Sequence, residues 1–331
     1  MTLFRTAAIG GLRFLAFACV LLTSLAQAAT ARQDFEQALD LIHSSSGSRE
    51  MRQRAFAIID RLAKDHPRSG YAETLIAESA STWELDEDGL PAELRQRIIA
   101  VADAALTLDP RLAQAHVAKG RVYVRASLYP QAKSSIDAAL ALEPSHAGAI
   151  FLRADVFRRT GALDDAESWY LKFIEATPSP GRKANGYAWI GRMYADVARG
   201  DAQNRRLWVD KARRSYDAML RAEPGGAWRN VNYAIFLNEL SGDYQAAELY
   251  AQKALDIMEF PMARYHLAAA RYQQVLSRSS MLSDTGMREA VKRVSDSTRV
   301  TLEQAIAFQN FPEQVESRLR QLSRRVGTTV R

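Results

Sequence analysis

Along the middle of the chain, small residues alternate with aromatic and aliphatic ones at helical spacing, and the pattern then starts again. Residues 113–146 and 147–180 overlay without a gap, which sets Gly120 on Ala154, Tyr123 on Phe157, Ala132 on Ala166 and Pro144 on Pro178. Pro110, Pro144 and Pro178 fall 34 residues apart, and a fixed period of that length predicts an array of helix pairs. In each unit the small residues let two helices approach closely, and Tyr123, Ile136, Phe157 and Tyr170 fill the space between them. One pair alone cannot bury such a stripe, so each unit must stack on the next, and the proline after each second helix stops it and turns the chain.

The same pattern, loosened, extends in both directions. Residues 32–67 read as a helix pair broken at Ser44–Gly47, and 68–110 as a second whose nine surplus residues are placed in the acidic loop Glu84–Gly89. Beyond the two clean units, 181–224 carries Gly191 and Tyr194 three apart like Gly120 and Tyr123, with a turn around Gly200–Arg206. A pair over 225–261 turns at Ser241-Gly242-Asp243, with Ala247 and Ala254 as small packing positions. In 262–331 a first helix is followed by one extended second helix over 285–308, then by a last helix with Val315, Leu319 and Leu322 inward, read as a terminal cap.

The two clean units resemble the tetratricopeptide repeat family. That family's small, aromatic, small, small and proline positions read here as Gly120, Tyr123, Ala132, Ala139 and Pro144, then Ala154, Phe157, Ala166, Phe173 and Pro178, with the large Phe173 departing from the pattern. The resemblance implies an all-α, right-handed superhelical solenoid of antiparallel helix pairs, in which first helices line a concave groove. It places Arg121, Arg125, Val117, Phe151, Arg158, Arg159, Asn185 and Arg192 in that groove. Arg121 and Arg125, four apart on one helix, would lie on the same side and could hold a carboxylate together. The rival reading of these residues is a solvated helix face with intermixed acids such as Asp155 and Asp196. As groove side chains, Arg121 and Arg158 are expected to tolerate charge reversal without loss of melting temperature.

The first 28 residues stand apart from the repeats. Arg5 and Arg13 precede an apolar run from Phe14 to Leu25, and Ala26-Gln27-Ala28 is a small-x-small site, the layout of a cleavable signal peptide. The run is too short to span a bilayer. The single cysteine, Cys19, lies within it, without the leucine usual three residues before a lipidated cysteine, so a chain cleaved at Ala28 would hold no cysteine. One domain over 29–331, exported to the periplasm or secreted, is the expectation.

Charge and chemistry narrow the function further. The formal charge is +6 with two of the arginines in the leader, and residues 264–331 hold 12 Lys/Arg against 6 Asp/Glu, so the basic character is concentrated at the end. That tail could meet an anionic membrane surface weakly. Nucleic acid is a poorer partner for an exported chain. The five histidines form no ligand motif, and no nucleophile elbow, phosphate loop or dinucleotide fingerprint is present. The sequence therefore predicts no catalytic residue, no metal and no cofactor, and a protein or peptide partner that is acidic or carboxylate-ended. The alternative is an accessory factor of cell-envelope or polysaccharide assembly that touches a glycan or an enzyme, for which Trp189 and Trp228 are the aromatics to locate.

Overall fold

A computed structural model describes residues 27–42, 49–83, 91–308 and 311–327. Most of the leader with Cys19, the turn at Ser44–Gly47 and the acidic loop Glu84–Gly89 lie outside the described residues. Among the described residues the chain is helical with no strand, and it falls into two compact units, 1–160 and 161–331.

In the first unit α1 (27–42) and α2 (Arg49–Asp65) close over Phe35, Ile42, Ala55, Ile59 and Leu62, and reach Leu75 of α3 (Tyr71–Trp83). Helices α4 (Ala92–Leu108), α5 (Ala113–Arg125), α6 (Tyr129–Leu142) and α7 (Ala147–Arg159) follow, with the first helices α3, α5 and α7 packed side by side in that order. Gly120 explains how tightly: a Cβ there would lie 3.3 Å from Leu152 and 3.4 Å from Ile136. Ala132, Ala139 and Ala154 are fully buried, as the repeat pattern requires.

The second unit holds α8 (Leu163–Ala176), the long hairpin of α9 (Pro180–Gly200) and α10 (Arg205–Ala222), then α11 (Ala227–Phe236), α12 (Tyr244–Ile257) and α13 (Pro261–Ser277). The turn between α9 and α10 is knotted by the Asp201 carboxylate, which accepts from the Asn204 backbone and amide and from the Trp208 indole. Phe173, the departure from the repeat pattern, is accommodated by α9: a Cβ on Gly186 would lie 2.5 Å from Ile174 and 3.1 Å from Phe173.

Helix α11 runs into a π-helical turn, Leu237–Ser241, before Gly242 reverses the chain at φ +70°. The turn absorbs one extra residue. Ala234 packs with Ala251 and Leu267 as Gly120 packs near Ile136 and Leu152, yet Ala234 and Ala247 are 13 apart where Gly120 and Ala132 are 12 apart. A wider turn of this kind carries the surplus inside the helix, and it turns Asn238 and Glu239 into the interior.

The expected single helix over 285–308 is two: α14 (Asp284–Thr298) and α15 (Leu302–Ala307). Arg299 breaks them at φ +57°. The cause is local: β-branched Thr298, Val300 and Thr301 are poor helix continuers, and the Thr301 hydroxyl and Gln304 form a reciprocal capping box that starts α15 afresh. The last helix, α16 (Glu313–Val326), buries Val315, Leu319 and Leu322 as expected.

Candidate partner-binding face

The arginines assigned to the groove fall in two groups, one in each unit. In the first unit, Arg121 of α5 donates from Nη2 to Glu78 of α3 at 2.6 Å, and the Glu78 carboxylate has no exposed surface. On α7, Asp155 is buried and accepts from both of its neighbours: Arg158 through Nε and Nη2 at 2.9 and 2.6 Å, and Arg159 through Nε at 2.9 Å on the other oxygen. Arg121 and Arg158 are therefore anchored in the helix layer, which overturns the expectation that they tolerate charge reversal. A buried carboxylate that loses its cation is costly.

Glu78, Arg121, Asp155 and Arg192 occupy the same place in successive repeats, so charge alternates at this position from one first helix to the next. Glu78 was legible in principle. It precedes Arg121 by 43 residues, the same interval as between Pro67 and Pro110 across the overlong repeat.

Four residues further along each helix stand Arg125 and Arg159, the exposed members. The Arg125 guanidinium is crowded although its side chain reaches the surface: loss of water first, then the like charges of Arg121 and Arg159, hold its pKa below the ordinary arginine value, with Asp155 pulling the other way. On this face four guanidiniums thus stand over two carboxylates. Phe151 is half-buried against the α5–α7 core. Val117 does not line the face. It is fully buried, because Gly148 has no side chain to exclude it and a Cβ there would lie 3.1 Å from Val117 Cγ1.

In the second unit, Arg192 is exposed and lies over the Trp189 ring at 5.4 Å, while Asn185 is half-buried. Two turns further along, Arg199 bridges Asp196 at 2.5 Å and Glu239 of the π turn at 3.0 Å. Burial pushes the Glu239 carboxyl up to about 7 against the opposing pull of Arg199. Trp228 is 38% exposed and leans on Phe260 with ring centroids 5.0 Å apart. The basic helix α16 keeps its apolar side in the core, and its arginines are partly engaged: Arg318 with Tyr244, Arg320 with Glu316 and Arg325 with the Ser279 carbonyl.

Among the described residues no group of three or more His, Cys, Asp or Glu could hold a metal ion. No helix among them is long and apolar enough to cross a membrane.

Residues 117–179 match the tetratricopeptide repeat family model, over most of the two gap-free units. No curated protein matches the chain in sequence. Among solved structures, the human IFIT1 dimer with m7Gppp-AAAA is similar at TM-score 0.55 and 16% identity, over 90% of this chain and 69% of that one. The APC/C hetero-tetramer Cut9-Hcn1 is similar at TM-score 0.50 and 13% identity, over 81% of this chain and 52% of that one. At these identities the likeness is one of fold, and the fold is the all-α array of helix pairs that the spacing predicts.

Proposed function

We propose that this chain, built on tetratricopeptide repeats, is an exported, non-catalytic scaffold that holds a segment of another protein against the first-helix face of α5 and α7. The observation that carries this reading is the surplus of cations there. Arg125 and Arg159, at equivalent places on adjacent helices, stand exposed, and with Arg121 and Arg158 they set four guanidiniums against the two buried carboxylates Glu78 and Asp155. Such a face suits an acidic or carboxylate-ended segment held by charge-assisted hydrogen bonds. Asn185 and Arg192 on α9 are the corresponding contacts proposed for the second unit.

The test uses a labelled oligo-aspartate peptide with a free C-terminus and an oligo-asparagine peptide of the same length with an amidated C-terminus, which carries no carboxylate. The acidic peptide should bind and the other should not. Binding should weaken with added salt, because partly exposed pairs are screened over about 8 Å at physiological ionic strength. Arg125→Glu with Arg159→Glu should abolish it, and binding that survived both the double substitution and salt would overturn the reading.

Export is supported by the leader, whose charged start, apolar run and small-x-small site before Ala29 have the layout of a cleavable signal peptide. N-terminal sequencing of the secreted protein should return Ala29; Met1 or an acylated Cys19 would exclude it. Trp228 beside Phe260 keeps a second reading in play, in which the chain serves envelope or polysaccharide assembly and stacks a sugar on that indole. Quenching of Trp228 fluorescence by an oligosaccharide would favour it.

A further inference from the structure

In the second unit the first-helix face is covered at α13. Helix α13 can be set on α7 with Leu267 over Leu152, since Leu152 packs near Gly120 and Leu267 packs beside Ala234, each on the small residue of the preceding first helix. His266 then stands where Phe151 stands, and Gln273 where Arg158 stands. Both are buried, at 1% and 0% exposure.

What covers them is the end of the chain itself. Phe308 and Phe311 meet the His266 ring edge-on, with centroids 5.9 and 5.0 Å away. Gln273 Nε2 donates to the Val315 carbonyl in the first turn of α16 at 3.2 Å, and Asn238 of the π turn donates to the His266 carbonyl at 2.8 Å.

The seam is mixed: Phe311, Val315, Leu319 and Leu322 lie in one apolar core with Tyr272 and Leu276, but the polar groups beside them are incompletely paired. Asn238 Oδ1, His266 Nδ1 and Gln273 Oε1 are buried without a protein hydrogen-bond partner, and an unmade buried hydrogen bond costs free energy that apolar side chains would not. A terminal cap exists to shield apolar surface. Helices α14 and α15 share that task with α16 around Tyr272, whose hydroxyl donates to the Val300 carbonyl between α14 and α15 at 2.7 Å. His266, Gln273 and Asn238 would be well solvated if exposed.

We infer that Phe308, Phe311 and α16 form a detachable cover, and that α13 beneath it is a further binding face, masked in the free chain, for a peptide segment offering N–H donors to these three residues. The inference rests on reading first helices as the binding face, but its test does not involve a partner.

In full-length protein carrying Cys19→Ala, single cysteines are placed by Val315→Cys, Ser323→Cys and Ala251→Cys, all at positions no more than 3% exposed. Val315 and Ser323 lie on the buried side of α16, and Ala251 lies between α11 and α13, away from the cover. If the cover lifts as a unit, the first two should react with a thiol reagent at similar rates, about tenfold or more faster than the third, as sub-global opening predicts. Reaction at Ser323 alone would mean a fraying last turn, and equal rates at all three would mean opening only by global unfolding; either result overturns the inference. Gln273→Leu in the Val315→Cys protein should slow labelling by removing an unpaired acceptor, and unchanged or faster labelling would exclude the polar seam as the cause. Failure of acidic peptides to bind at Arg125 and Arg159 would leave all these rates unaffected, so the two readings fail separately.

Discussion

Helices α7 and α13 occupy equivalent places in their repeats and present different chemistry. Where α7 carries Asp155, Arg158 and Arg159, α13 carries Ala270, Gln273 and Gln274. The charged set on α7 leaves Arg159 exposed, whereas Gln273 lies under an apolar segment and Gln274 is held by Glu248 and the Tyr244 carbonyl. Covering an ionised guanidinium with phenylalanine and leucine would be prohibitive, while covering a neutral amide is only costly. Whether a first-helix face can be masked is thus decided by the charge at two or three positions, on a backbone that is otherwise repeated.

The largest expected effect tests the anchoring of the charged face. Arg121→Ala deprives the buried Glu78 carboxylate of its cation and should cost about 3–5 kcal/mol in urea unfolding. A loss below about 1 kcal/mol would mean that Arg121 is a surface residue after all. Next comes the exchange of one face's chemistry for the other's. Gln273→Arg should lower stability by about 2–3 kcal/mol, with trypsin cleavage appearing in α16, because the chain can avoid burying the new charge by lifting its cover. Arginine accepted there with α16 still protected would break the comparison.

Acid titration gives a smaller and more diagnostic effect. His266 is held at about 3 by burial, against an ordinary value of 6.5, so the unfolded chain binds the proton first and stability falls as pH drops from about 6.5 towards 3. Glu239 has the opposite sign. Its carboxyl is raised from 4.5 to about 7, so the folded chain binds the proton first and stability rises as pH drops from about 7 to 4.5. Each contributes at most about 1.4 kcal/mol per pH unit, and between pH 4.5 and 6.5 they offset one another. His266→Gln should therefore turn a flat stability profile into one that rises on acidification, and a profile unchanged by the substitution would refute the burial argument for His266. The smallest effect belongs to Arg125. Arg125→Glu alone should change stability by less than about 0.5 kcal/mol, since it relieves the crowding with Arg121 and Arg159, whatever it does to binding.

The repeat was legible because its physics is local. Prolines at fixed intervals and small residues facing aromatic ones state the packing directly, and Ala132, Ala154, Ala166 and Ala212 are all fully buried. The site was less legible because its logic runs between repeats. The buried acid facing Arg121 sits one overlong repeat away, and Val117 is withdrawn from the face only because Gly148, in the next helix, leaves room for it. Phe173 looks like an exception until Gly186 is seen beside it. The break at Arg299 carries neither glycine nor proline, and only the run of β-branched residues around it hints that the helix will stop.

The π turn at Leu237–Ser241 bears on how such a chain can change over generations. A residue gained between two helices usually lengthens a loop and leaves the packing alone, and one gained inside a helix would ordinarily rotate everything beyond it by about 100°. Here the gain is confined to a single widened turn, and Ala234 still meets Ala251. A repeat can thus carry an additional residue without its neighbours having to adjust, and the wider turn places two polar side chains, Asn238 and Glu239, in the interior.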